Sequence, residues 1–323
     1  DFGPNGLAVE CRDHPDSPYQ SLAMRRQSAY ILQNIKETCA AAGANFDDDS
    51  VRIYQWLVTT DQDRDGGTWV GDGFTITPYL EERDHFLTHD RPASTGMGIK
   101  NLLVKDTIVE VDVLLKTDTP KQQVALDVPK ALAGYSQGLI SGDWVFTAGE
   151  HATDFIGDIG RTDYNGPRSA IQLDARTPSE LLWYGLPVKL QTQKLFEKLE
   201  RNLESCGSSM KDVVHATIYY SHPKNLAEIE EAWIEWFPKD PPARTLIPYM
   251  GIGIRGCDPE IALIALKKDG LTEKQSIMAD GVGAPIGHEP HAIKAGDLLF
   301  FSTQIAGDRN GLCAGGRRAD EYP

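Results

Sequence analysis

An arginine and a glutamate sixteen residues apart carry the clearest chemistry in this sequence. Arg244 closes Pro242-Ala243-Arg244, and Glu260 opens the apolar run Glu260-Ile-Ala-Leu-Ile-Ala-Leu266. A guanidinium presents a rigid fork that grips a carboxylate in two parallel hydrogen bonds, which the point charge of lysine does not reproduce. A carboxylate one strand away orients or deprotonates a water that attacks a C=N carbon. The two residues therefore read as anchor and water-handling group, with the Tyr135 hydroxyl as a donor to the same pocket. The competing reading is a plain cross-strand ion pair, because ion pairs are commoner than sites. An earlier copy of the spacing, Pro92-Ala93-Ser94 with Glu110 sixteen residues on, lacks the guanidinium and reads as a scaffolding copy without turnover.

Other patterns are weaker. Gly251-Ile-Gly253-Ile-Arg-Gly256 satisfies GxGxxG but leads into Cys257-Asp258-Pro259 and a strand, where a dinucleotide site needs a helix. Asp61, Asp63, Asp65 and Asp72 resemble half of a calcium loop, yet the preceding element reads as a strand and Asp replaces the closing Glu. A solvated loop is the plainer reading. In His288-Glu-Pro-His291 the proline prevents the helical spacing that zinc proteases use. His215, between Val214 and Ala216, reads as a packed strand histidine. No metal or organic cofactor is expected.

The elements that position these residues come from a repeat. Gln27–Gly43 aligns without a gap on Gln191–Gly207, 164 residues later, with apolar residues at helical spacing and a glycine stop in both copies. A β-rich run follows each, 51–59 and 213–221. The later copy adds a helix over 226–237, a Pro-Pro stop and the strand 260–266, and the early copy ends in a strand over 107–115. Two hairpins also match: Gly142-Asp-Trp-Val-Phe-Thr-Ala-Gly149 and Gly296-Asp-Leu-Leu-Phe-Phe-Ser-Thr303.

The chain has 323 residues, roughly two domains, and a formal charge of −15. That charge, with scattered Lys and Arg, argues against nucleic acid, and no run approaches a membrane span. Five cysteines, odd in number and without a CxxC pair, suggest reduced thiols and a cytoplasmic protein.

In this order the motifs resemble the Rid/YjgF family of reactive-intermediate deaminases, present as tandem units. Pro242-Ala243-Arg244 with Glu260 resembles the family's P-A-R and acidic strand. Gly134-Tyr135-Ser136-Gln137-Gly138 and Phe146-Thr147-Ala148-Gly149-Glu150 resemble its amino-terminal Tyr and S-G-Q stretches. The resemblance implies an α+β, chorismate-mutase-like fold: a mixed β-sheet with two helices on one face, assembled as a trimer of units with clefts between neighbours. It also implies cofactor-free hydrolysis of small carboxylated enamines or imines by a homo-oligomer with a trimeric or pseudo-trimeric arrangement. The alternative is a small-ligand-binding regulatory protein; a ribonuclease reading fits the charge poorly. The later hairpin carries Ala148 and Glu150 where the family has Ser and Gln, whereas the terminal one keeps Ser302 and Gln304. By resemblance, Ser302 therefore joins Arg244, Glu260 and Tyr135 as an expected catalytic residue.

The expected units are residues 1–120 as a back half, 121–270 as a complete unit and 271–323 as a front half. Because the chain starts at Asp1 and not at Met, it reads as an excerpt or a processed or permuted chain. The hairpin within 284–323 is expected to complete the early unit, with the strand of Ser302 beside 51–59 and 107–115.

Overall fold

The computed structural model describes residues 7–12, 23–58, 76–126, 134–154, 171–176, 187–251, 257–305, 307–308 and 311–312. The aspartate-rich loop at 61–72 and residues 252–256 of the glycine-rich run lie outside the described residues.

In the early unit, α1 (Ala23–Ala41), the one-turn α2 (Phe46–Asp49) and β1 (Ser50–Val58) precede α3 (Ile76–Phe86), β2 (Ala93–Ile99) and β3 (Val109–Leu115). β1 lies between β2, which runs parallel to it, and the antiparallel β3. Leu32, Cys39 and Phe46 pack on Ile53 and Leu87 beneath the helices.

The later unit runs through β4 (Lys121–Gln123), β5 (Gly138–Ser141), β6 (Trp144–Thr147), α4 (Pro187–Ser205), β7 (Val213–Tyr220), α5 (Leu226–Trp236), β8 (Ala243–Pro248) and β9 (Glu260–Leu266). Its sheet order is β4-β5-β6-β9-β7-β8, mixed because β7 and β8 are parallel and the remaining pairs antiparallel. The glycine stops read from the repeat hold: Gly43 and Gly207 have φ of 77° and 74°, the left-handed conformation that ends a helix without a Cβ penalty. Leu195, Phe196, Leu199 and Leu203 of α4 and Ile229 and Trp233 of α5 bury one sheet face against Ala216, Ile218, Ile261, Leu263 and Ala265. The protein is thus α+β, with helices on one face of mixed sheets.

The terminal strands depart from expectation. β10 (Lys274–Ile277), β11 (Ala292–Ala295) and β12 (Leu298–Phe301) form their own antiparallel sheet, and among the described residues none pairs with β1 or β3. The chain leaving β12 instead lies along the open edge of β8. Thr303 N donates to Arg244 O at 2.8 Å, and Leu246 N donates to Thr303 Oγ1 at 2.9 Å. An edge strand offers unpaired backbone groups, and this segment satisfies them. The later hairpin does the same for β2 of the early unit: Gly149 N donates to Ser94 O at 3.1 Å. Behind these junctions, Val51 and Ala93, Leu139, Phe146, Val214 and Ile264, and Ile293 and Ala295 share one apolar core.

No described helix is long and apolar enough to cross a membrane. Cys11, Cys39, Cys206 and Cys257 are buried free thiols.

Phe196 is fully buried and touches the rings of Trp233, Trp236 and Phe237. We expect Phe196→Ala to cost about 3–5 kcal/mol in urea unfolding, whereas a loss under about 1 kcal/mol would show that the helix layer does not hold the later sheet.

Candidate active site

Strand alternation sorts the expected residues onto different faces. Arg244 lies opposite Ala216 on β7, and Glu260 lies opposite Tyr219. Directly paired residues share a face, and residues an odd number apart on one strand point to opposite faces. Ala216 packs under the helices, whereas Tyr219 packs on the other face with Met97, Ala152 and Tyr249. The structure therefore separates Arg244 from Glu260. It groups Arg244 with Ser302, and Glu260 with Tyr135.

The Arg244 side chain is 2% exposed and already neutralised. Its Nη2 lies 2.5 Å from Glu230 of α5, its Nε donates to the buried carboxylate of Glu289, and its guanidinium sits 4.8 Å from the Trp233 ring centre. Ser302 Oγ accepts from Arg244 N at 3.3 Å and donates to Pro290 O at 2.6 Å, so both of its roles are structural bonds to backbone. Trp233 Nε1 donates to His288 O, and His288 N donates to Glu230, which seats the 287–289 segment on the guanidinium. Any side chain at Gly287 would collide with Arg244 Nη2. The fork that the sequence offers as an anchor is held here by two carboxylates of the chain itself.

Glu260 is placed differently. It is 3% exposed, and its Oε2 has no hydrogen-bond partner among the described residues. Burial, followed by the charge of Glu150, holds its carboxyl well above the usual range. Glu150 is itself paired with Lys198 of α4 at 2.6 Å, both side chains 2% exposed or less, and accepts from Gln137 Nε2 at 3.0 Å. Burial, followed by the charge of Lys198, pushes the neighbouring His151 down to about 3. The early unit closes the other side: Gly149 N donates to Thr95 Oγ1 at 2.9 Å, and a side chain at position 149 would strike both Glu260 and Thr95. Tyr135 and Gln137 line an open cleft of 680 Å³ together with His89, Asp90, Arg91 and Gln123. Burial and the charges of Glu150 and Glu260 raise the Tyr135 phenol far above its usual value, so it stands in the cleft as a neutral donor.

Sequence reasoning singled out Tyr135 and Glu260 but not Lys198 or Thr95. Lys198 had a signal: it falls on the buried face of α4 with Leu195 and Asn202, where an unpaired lysine is not tolerated. Thr95 had none, because its contact crosses between units. The histidine pair is also resolved. His288 Nε2 meets Phe237 O, His291 Nε2 meets Gly283 O, and no cluster of three metal-ligating side chains occurs among the described residues. His215 stacks on Phe300 and bonds Thr245 Oγ1, with burial pushing it down to about 4.

A mixed sheet with two helices on one face and a buried acidic strand beside a cleft between units defines a class of small α+β proteins, and comparison with known proteins narrows it. Residues 176–267 match the family model Ribonuc_L-PSP, described as Endoribonuclease L-PSP. A RutC family protein of Pyrococcus abyssi is 28% identical over 120 residues, covering 37% of this chain and 76% of the relative. One of Pyrococcus horikoshii is 26% identical over 122 residues, covering 38% and 78%. Crystal structures of yeast Mmf1 (TM-score 0.35, 19% identity) and of RidA from an Antarctic Psychrobacter (TM-score 0.34, 21%) align with 46% and 45% of this chain and with 99% and 98% of theirs. Within its later unit the chain is thus similar to the Rid/YjgF family over residues 176–267.

Removing one partner of a buried ion pair leaves an uncompensated charge, so Lys198→Met should cost about 3–5 kcal/mol in urea unfolding; a cost under about 1 kcal/mol would deny the pair a structural role. A pH effect of definite sign also follows. The folded protein keeps the Glu260 proton that the unfolded chain releases, so between the ordinary carboxyl value and the raised one this group lowers stability as pH rises. Glu260→Gln removes that penalty, and its stability relative to the parent should increase from about pH 5 to about pH 8. A difference independent of pH would mean that Glu260 is ionised in the fold.

Proposed function

We propose that this protein hydrolyses small carboxylated enamines or imines in the cleft between its two units, with Glu260 as the proton carrier. Similarity to the Rid/YjgF family supports imine processing or small-molecule binding in general. The observation that carries the finer reading is a buried carboxyl with an oxygen unpartnered among the described residues, raised in pKa, behind Tyr135 and Gln137 at an open cleft. A carboxyl whose pKa is raised by burial keeps its proton to higher pH than a free one and so can donate it.

For a 2-aminoacrylate-type enamine the steps balance as follows. Glu260 gives its proton to the terminal carbon, and the nitrogen lone pair forms C=N. The carboxylate then takes a proton from the water whose oxygen attacks the C=N carbon. The resulting carbinolamine receives that proton on nitrogen, ammonia leaves with the C–N electron pair, and the hydroxyl proton returns to Glu260. The sum is enamine plus water to 2-oxo acid plus ammonia. Tyr135 orients the attacked group by donating a hydrogen bond. Assembly into a homo-oligomer belongs to the same proposal, supported by exposed Leu114 on β3 and exposed Leu298 and Phe301 on β12.

The test is ammonia release from enzymatically generated 2-aminoacrylate. Glu260→Gln keeps shape and loses basicity, so it should unfold cooperatively like the parent while kcat falls about 10²–10⁴-fold. An unchanged kcat would remove Glu260 from the chemistry, and binding of 2-oxo acids without any turnover by the parent would leave a binding protein.

A further inference from the structure

Arg52 is fully buried, yet most of its guanidinium is unmatched. It lies on β1 opposite Ala93 of β2 and Leu114 of β3. Its neighbour Ile53 packs beneath the early helices, so strand alternation turns Arg52 to the other face, toward the later unit. There Nη2 donates to Thr147 O of the later hairpin at 3.0 Å, and the guanidinium carbon sits 5.2 Å from the Tyr54 ring centre. Among the described residues, Nε and Nη1 meet no acceptor and no carboxylate pairs with the group. Lys198 and Arg244, buried to a similar degree, are matched by Glu150 and by Glu230 with Glu289. We propose that Arg52 binds a small monovalent inorganic anion, of the size and charge of chloride, at the buried junction between the early sheet and the later hairpin.

The later unit shows why the early one needs such a ligand. His215 lies opposite Ala243 as Arg52 lies opposite Ala93, and these are the alanines of the two Pro-Ala pairs, so the two side chains hold equivalent positions. His215 is satisfied without a counter-ion. Burial, followed by the charge of Arg52, pushes it down to about 4, and its Nε2 meets Thr245 Oγ1 at 3.1 Å. The early counterpart of Thr245 is Thr95, whose Oγ1 accepts from Gly149 N. Arg52 therefore sets a lasting charge where the later unit has a neutral ring, because a guanidinium does not shed its proton in a protein. The Tyr54 ring face attracts that charge without cancelling it. A buried charge without a partner is costly, so a ligand that brings one negative charge and accepts the free N–H groups is favoured over water there. Val51 and Phe146, next to Arg52 and Thr147 in sequence, belong to the shared apolar core, which penalises a strongly hydrated dianion such as sulfate. Leu114, directly across from Arg52, is 44% exposed, so the way in from solvent is short. Tyr135 and Gln137 line the cleft and Arg52 does not, so binding here is independent of turnover there.

The experiment melts the full chain in mixtures of sodium chloride and sodium gluconate at constant ionic strength, so that general screening is held fixed. As chloride replaces gluconate, the Tm of the parent should rise along a saturable curve by about 2–6 °C more than that of Arg52→Met, which keeps the bulk and removes the charge. The comparison with the variant cancels any effect of the two salts on the rest of the surface. A second measurement needs no variant to fold. In crystals of the parent grown in sodium bromide, an anomalous scattering peak should lie within about 3.5 Å of Arg52 Nε or Nη1. Equal chloride dependence in the parent and in Arg52→Met, a parent that melts alike in both salts, or bromide crystals without a peak at Arg52 would each overturn the proposal.

Discussion

Two open edge strands, β2 and β8, each receive a backbone hydrogen bond from the chain leaving a neighbouring hairpin. Those bonds set the geometry of everything else. A parallel edge strand with unpaired N–H and C=O groups must be covered, and covering it with the next unit's hairpin brings that unit's Tyr135-to-Glu150 segment, or its Glu289-to-Ser302 counterpart, against the residues that follow a Pro-Ala pair. One structural requirement thereby produces two similar junctions with different chemistry in them.

The contents of the junctions show how similar frames diverge. Around Arg244, two carboxylates and an indole hold the guanidinium while the Ser302 hydroxyl accepts from the backbone N–H, and the result joins the terminal hairpin to the later sheet. A buried arginine is tolerated when its charge and N–H groups are matched, and this one is. Around Glu260 the matching is incomplete. Glu150 has Lys198, but among the described residues Glu260 has no ion-pair partner, and burial, followed by the like charge of Glu150, pushes its proton back on. The first junction matches its buried charge, and the second holds a buried carboxyl well above the usual carboxyl range.

β9 accounts for that buried carboxyl. It is buried along its whole length, with Ile261, Leu263 and Ala265 under the helices and Ile264 and Leu266 in the core shared between units. Glu260 is the first residue of the second set. Its burial follows from the strand's position between β6 and β7 rather than from its own polarity, and its raised pKa follows from the burial.

Much of this was legible in the sequence. Helical periodicity with a glycine stop located α1 and α4, because an amphipathic face and a left-handed terminus are local requirements. Apolar runs located β1, β3, β7 and β9, and the sequence offered Tyr135 and Glu260 as candidates for one pocket. What the sequence left open was which of these residues meet. Arg244 and Glu260 are sixteen residues apart on strands that flank β7, yet opposite pleats separate them. The terminal hairpin has the sequence of a partner for the early sheet, yet it covers β8. Side-chain period and element type are written residue by residue, whereas register, face and neighbour depend on contacts between segments far apart in the chain, so only the tertiary structure decided them.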